Sequence, residues 1–146
     1  MIIPDVNLLL YAEIDAFEQH RAARGWWERT LGGDRQVGLT TVSVFGFLRI
    51  ATNRRVFALP LSINEAVARV REWLAQDNVV LVTPGSRHLD IALPLLERLG
   101  TGASLTTDVQ LAAIAIENNA DLCSNDADFR RFEGLRWIDP LAATDA

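Results

Sequence analysis

The chain has 146 residues, enough for one domain with a substantial core. A hydrophobic fraction of 49%, a charged fraction of 23% and a net charge of −5 describe a globular protein and exclude an indiscriminate, strongly basic nucleic-acid binder. All 14 basic residues other than His are Arg, so a Walker phosphate loop and Schiff-base chemistry are excluded for want of Lys; the single Cys123 excludes an internal disulfide and a Cys-rich zinc site.

No apolar run approaches the ~18 residues of a membrane span. The start, without a basic segment before its apolar residues, argues against a secretory signal. A cytoplasmic protein with no membrane contact is expected. Met1–Pro4 is expected as a short buried strand, with Pro4 at its end, where a ladder donor is dispensable. Asp5 or Asn7 can cap a first helix over Leu8–Glu13. Glu18–Leu31 predicts a second helix, stopped by Gly32-Gly33. Gln36–Leu39 is a strand candidate. Thr40-Thr41 leads into a third helix, about Val42–Ala51, whose apolar face is expected to carry Phe45, Leu48 and Phe47.

After a Pro-containing connector, Ser62 and Glu65 have the spacing of a capping box, opening a helix to about Gln76. Val79–Val82 is fully apolar, as a central parallel strand is expected to be. Ser86 can cap a helix through about Leu99, which Pro94 should bend or interrupt. The next helix begins near Leu105 and leads to a strand at Asp121–Cys123. A short turn or helix at Asp128–Phe132 and a last strand at Leu135–Ile138 follow, and the tail 142–146 is expected to fray. The alternation of strands and helices predicts one mostly parallel α/β domain over 1–141.

The acids follow a pattern. Asp5 follows the first strand, Asp108 opens a helix, and Asp126, with Asp128 two residues on, follows a later strand. In a parallel sheet such positions gather at the carboxyl edge. Several carboxylates together require raised pKa values or a cation, and oxygen ligands favour Mg²⁺ or Mn²⁺, which suit phosphodiester hydrolysis. The plainer alternative is that Asp108 caps its helix and Asp126 its turn. Asp5 is harder to explain away, because so short a strand must begin in the core.

At these residues the chain resembles the PIN-domain ribonucleases, and among them the VapC-type toxins of bacterial toxin–antitoxin pairs. The resemblance rests on Pro4-Asp5-Val6-Asn7, on Gly46-Phe47-Leu48-Arg49-Ile50-Ala51-Thr52-Asn53 with Arg55-Val56-Phe57, on Asp108 through Ile116, on Ser124-Asn125-Asp126-Ala127-Asp128-Phe129 and on Leu135-Arg136-Trp137. It implies a three-layer αβα fold with a central parallel five-stranded sheet of order 3-2-1-4-5. It implies an Mg²⁺- or Mn²⁺-dependent endoribonuclease acting on structured RNA such as tRNA or ribosomal RNA. A homodimer and a cognate VapB-type antitoxin are implied with it. Carried over by position, Asp5, Asp108 and Asp126 are the metal-binding catalytic acids. Asn7, Asp128, Ser124 and Asn125 support them. Water activated at the metal would leave a 5′-phosphate and a 3′-hydroxyl.

One position departs from the pattern: Gly46 stands where most members carry Glu. That puts a second metal in question. Glu13 or Asp128 can be considered as substitutes, or one Mg²⁺ binds tightly and another arrives with RNA. A catalytically weak or inactive PIN module that binds RNA or a partner protein is the alternative function. A phosphoacceptor receiver domain also gathers acids beside a parallel sheet, but needs a Lys that this chain lacks. Arg49, Arg54 and Arg55 are candidates for contact with RNA or antitoxin. The Trp residues are expected in the core or in dimer contacts, Tyr11 and Phe17 in the core or in a groove for an antitoxin helix, and Cys123 as a buried thiol.

Overall fold

The computed structural model describes residues 1–142; the tail expected to fray lies, beyond Ala142, outside the described residues. The strands are β1 (Ile2–Pro4), β2 (Val37–Thr40), β3 (Val79–Val82), β4 (Asp121–Cys123) and β5 (Arg136–Ile138). The helices are α1 (Val6–Glu13), α2 (His20–Thr30), α3 (Thr41–Ala51), α4 (Ile63–Leu74), α5 (His88–Leu99) and α6 (Leu105–Glu117), with a short 3-10 helix at Ala127–Arg131. The five strands are all parallel, in the order β3-β2-β1-β4-β5.

Successive strand residues point to opposite faces, and this alternation builds two cores. Ile2, Val37, Leu39 and Cys123 pack with Leu8, Trp27, Phe47 and Trp73 beneath α1–α4. Ile3, Val82 and Leu122 pack with Leu95, Val109, Ile114 and Phe129 on the side of α5 and α6. The result is the three-layer αβα architecture. Trp27 and Trp73 are fully buried, in the core as expected.

Local chemistry explains most of the elements. Ser62 and Glu65 form both bonds of the capping box on α4. Thr40 caps α3 by accepting from the Ser43 N–H. Pro4 has no N–H to offer β2, and the β1–β2 register goes no further than Ile2–Val37. The Pro4 carbonyl is satisfied instead by the Ser43 hydroxyl, which donates to it at 2.9 Å.

Four expectations need correction. β3 is an edge strand, and Leu81 on it is exposed; a short apolar run does not say how many neighbours a strand has. Ser86 caps nothing. The Glu117 carboxylate accepts from the N–H groups of Gly85 and Arg87 and holds the turn before α5. Pro94 does not interrupt α5, because it lies on the solvent side, where the carbonyl it leaves free at Asp90 is open to water. Finally, α3 buries Ser43, Phe47 and Ala51, spaced by four, and leaves Phe45 outside.

Candidate active site

The chain runs from β1 outward to β3, then returns to β4 on the other side of β1, so the sheet has its switch point between β1 and β4. Ligands of open parallel sheets bind outside the carboxyl ends of the strands at such a point. Asp5 and Ser124 are the residues that follow these two strands. The Asp5 N–H donates to the Cys123 carbonyl at 2.8 Å, which extends the ladder and fixes Asp5 at the edge. Its Oδ1 accepts from the Val6 N–H at 2.7 Å, capping α1, and its Oδ2 accepts from the Ser124 hydroxyl at 2.8 Å.

Ser124 joins the elements together. It is fully buried, and its N–H donates to the Ile138 carbonyl of β5. Its hydroxyl oxygen accepts from Asn7 Nδ2 at 3.2 Å and from the Asp126 N–H at 3.0 Å. Asn125 leans on Asn7 through a long 3.5 Å contact and donates to Asp139 at 3.0 Å. Asp126 caps the 3-10 helix by accepting from the Asp128 N–H. The plain role weighed for Asp126 is therefore present, but it occupies only Oδ1.

Asp108 reaches the same region from the first turn of α6. That helix precedes β4 and runs antiparallel to the strands, so its N-terminus lies at their carboxyl edge. Its N-cap position is Ser104, so Asp108 is not the cap. A helix N-terminus favours a carboxylate by ~0.3–1 kcal/mol. That is outweighed here: burial first, then the charges of Asp5, Asp126 and Asp128, push the Asp108 pKa from 3.8 up to about 7. Burial likewise raises Asp5, against the hydrogen bonds from Ser124 and Val6 that lower it. Tyr11 is raised mainly by burial, with Asp5 and Asp126 adding to it. Cys123, pushed to about 12 by burial, is an inert thiol.

Asp5 and Asp108 line a cleft of about 600 Å³ whose opposite wall is α3, with Phe45, Gly46 and Arg49. Among the described residues, no three His, Cys, Asp or Glu side chains form a ready metal cage. The donor chemistry still suits a hard divalent ion: mutually repelling carboxylates without an ion-paired Arg among the described residues.

Comparison with known proteins identifies the family. The PIN domain family matches residues 2–135. Ribonuclease VapC33 of Mycobacterium tuberculosis is 60% identical over 141 residues, covering 97% of this chain and 99% of that protein. The chain belongs to the PIN-domain family, among the VapC ribonucleases. Two solved structures share the fold at 16% identity and a TM-score of 0.69. One is VapBC2 from Rickettsia felis bound to a DNA fragment from their promoter, matched over 94% of this chain and 98% of that one. The other is the M. tuberculosis toxin VapC20, described as cleaving the sarcin–ricin loop, matched over 93% and 99%.

In this PIN domain Gly46, where the resemblance led to an expected Glu, sits against α1. A Cβ on Gly46 would stand 2.7 Å from Val6 Cγ2, because α3 crosses α1 there at close range. Glu13 does not make good the missing acid. Its side chain is only 4% exposed and is bound by Arg24, Arg69 and the Trp73 indole. Asp128 is exposed but near enough for its charge to act on Asp108. Arg49 lines the acidic cleft, whereas Arg54 lines a separate surface pocket with Leu59 and Ser62, and Arg55 stands exposed on the following turn. Asp139 escaped the sequence reasoning, and Tyr11 was placed in the core or in an antitoxin groove rather than beside the acids. Asp139 follows β5 as Asp5 follows β1, so the same signal was available. Tyr11, one helical turn beyond Asn7, had no signal to separate it from a core residue.

Proposed function

We propose that this chain is an endoribonuclease toxin, a single domain over residues 1–141, that uses Mg²⁺ or Mn²⁺ held by Asp5, Asp108 and Asp126. The observation that carries the proposal is Asp108: it shares one cleft with Asp5, and burial first, then the charges of Asp5, Asp126 and Asp128, bring its pKa to about 7. A bound divalent ion would supply the missing counter-charge and a Lewis acid for hydrolysis at phosphorus. The chain's own residues set the geometry. Val6 and Ser124 orient the Asp5 carboxylate, Asn7 and the Asp126 N–H hold Ser124, and Asn125 with Asp139 braces the loop. Arg49, across the cleft, is placed to hold a substrate phosphate. The products are a 5′-phosphate and a 3′-hydroxyl, with no role for the substrate's 2′-hydroxyl.

The 60% identity to ribonuclease VapC33 supports ribonuclease activity. The description of VapC20 as a sarcin–ricin loop cleaving toxin favours structured RNA, ribosomal RNA or tRNA, as the substrate. The fold shared with VapBC2 and with a toxin–antitoxin complex from Klebsiella pneumoniae favours a VapB-type antitoxin as partner; a cytoplasmic homodimer is part of the same proposal. No helix among the described residues is long and apolar enough to cross a membrane.

Asp5→Asn and Asp108→Asn are each expected to lower Mn²⁺-dependent RNA cleavage at least about a hundredfold, while circular dichroism stays that of the parent. Calorimetric titration with Mn²⁺ alone should lose its binding heat in both. Variants that cleave as the parent does remove the assignment. The second reading, a PIN module that binds without cutting, draws on Gly46 and on the lack of a ready three-acid cage among the described residues. Parent protein that binds RNA but yields no chelator-sensitive ends would establish it.

A further inference from the structure

The α3 wall of the cleft breaks its own amphipathic pattern. Phe45 is 65% exposed, and among the described residues no other Phe, Tyr or Trp stands so far into solvent. It faces the cleft that holds Asp5 and Asp108, and Arg49 lines the same cleft. The two are four residues apart on one helix, hence neighbours one turn apart on one face. Gly46, between them in the chain, lines the same cleft without a side chain.

We propose that Phe45 is a stacking platform for an unpaired base of the RNA, with Arg49 holding the adjoining phosphate. The cleft then selects a nucleotide outside a duplex. An apolar protein helix laid here would bury the Arg49 and Asp108 charges without partners, which is costly. A nucleotide matches the wall: its flat base meets the ring and its phosphate meets the guanidinium. In a duplex both faces of each internal base are already covered by neighbours, leaving none for Phe45.

This inference rests on the ribonuclease function proposed above, and its test separates the two. The probes are a ribo-oligonucleotide spanning a cut site mapped with the parent protein, and the same strand annealed to its complement. Binding is measured in the Asp108→Asn background with Phe45→Ala, Phe45→Leu and Phe45→Trp. Phe45→Ala and Phe45→Leu are expected to weaken binding of the unpaired strand about tenfold, with duplex binding unchanged. Phe45→Trp should bind as tightly as Phe, with indole fluorescence quenched by the strand. Leu binding as well as Phe, or Ala weakening both probes alike, would overturn the platform, the first by pointing to plain apolar docking. A parent that cuts RNA with a Phe45→Ala variant that binds and cuts identically sinks this inference alone. A parent that cuts no cellular RNA with Mn²⁺ removes the function and the platform together.

Discussion

Two buried acidic groups on α1 have opposite surroundings. Glu13, at the end of the helix, is met by Arg24 at 3.1 Å, by Arg69 at 3.4 Å and by the Trp73 indole at 3.2 Å. Asp5, at the start, is met by one hydroxyl and one backbone N–H, and its nearest charged neighbours are other acids. The first group is neutralised within the fold, joining α1, α2 and α4. The second is left short of positive charge. A carboxylate that serves only the fold can take its cations from the chain, whereas one that must receive a cation from solution has to be left without them.

Breaking the Glu13 group should cost the most stability. Glu13→Ala leaves two arginines and an indole facing a buried gap. Both arginines are more than a third exposed, so water screens part of the loss, and a cost of about 2 kcal/mol is expected. Urea unfolding would read it, with Mn²⁺ affinity unchanged. A stability unmoved by this change would mean that the cluster is idle.

Ser124→Ala probes the other group. It removes one donor to Asp5 and the acceptor of both Asn7 and the Asp126 N–H. About 1 kcal/mol of stability should go. Cleavage should fall by at least about tenfold, because the carboxylates lose their orientation. Equal losses in Glu13→Ala and Ser124→Ala cleavage rates would erase the contrast between the two groups.

The last test is one of pH. The fold raises the Asp108 pKa from 3.8 to about 7, and Asp5 moves in the same direction. The folded state therefore favours the protonated carboxyl. That contribution is complete below about pH 4 and is lost as pH rises through about 7. Metal-free parent is expected to show this decline in thermal melts between pH 5 and 8 in excess of Asp108→Asn, since Asn cannot titrate. Saturating Mn²⁺ should cancel the difference. Identical slopes with and without the Asp108 carboxyl would contradict the electrostatic picture.

Much of the site was legible because strand ends and helix starts carry their own marks. Pro4-Asp5 announces the end of β1, and the acids at 108 and 126 stand at the start of α6 and just past β4. The neutralisation of Glu13 was not legible, since Arg24, Arg69 and Trp73 reach it from 11 to 60 positions away. Nor was the exposure of Phe45, because α3 is apolar on several sides and only packing against α1 and α4 decides which side is covered. The same holds for β3, whose apolar run fits a central strand as well as an edge.

By itself the sequence determined where most of the chain turns, that Ser62 and Glu65 cap α4, and that acids follow β1 and β4. These depend on neighbours a few positions apart, whose chemistry acts before any long-range contact forms. Only the tertiary structure decided that Ser124 joins Asp5, Asn7 and Asp126, that Val6 packs closely on Gly46, and that Phe45 and Arg49 line one cleft with Asp5 and Asp108. Burial and Coulomb repulsion depend on distance in space, and the order of residues along the chain leaves that distance open.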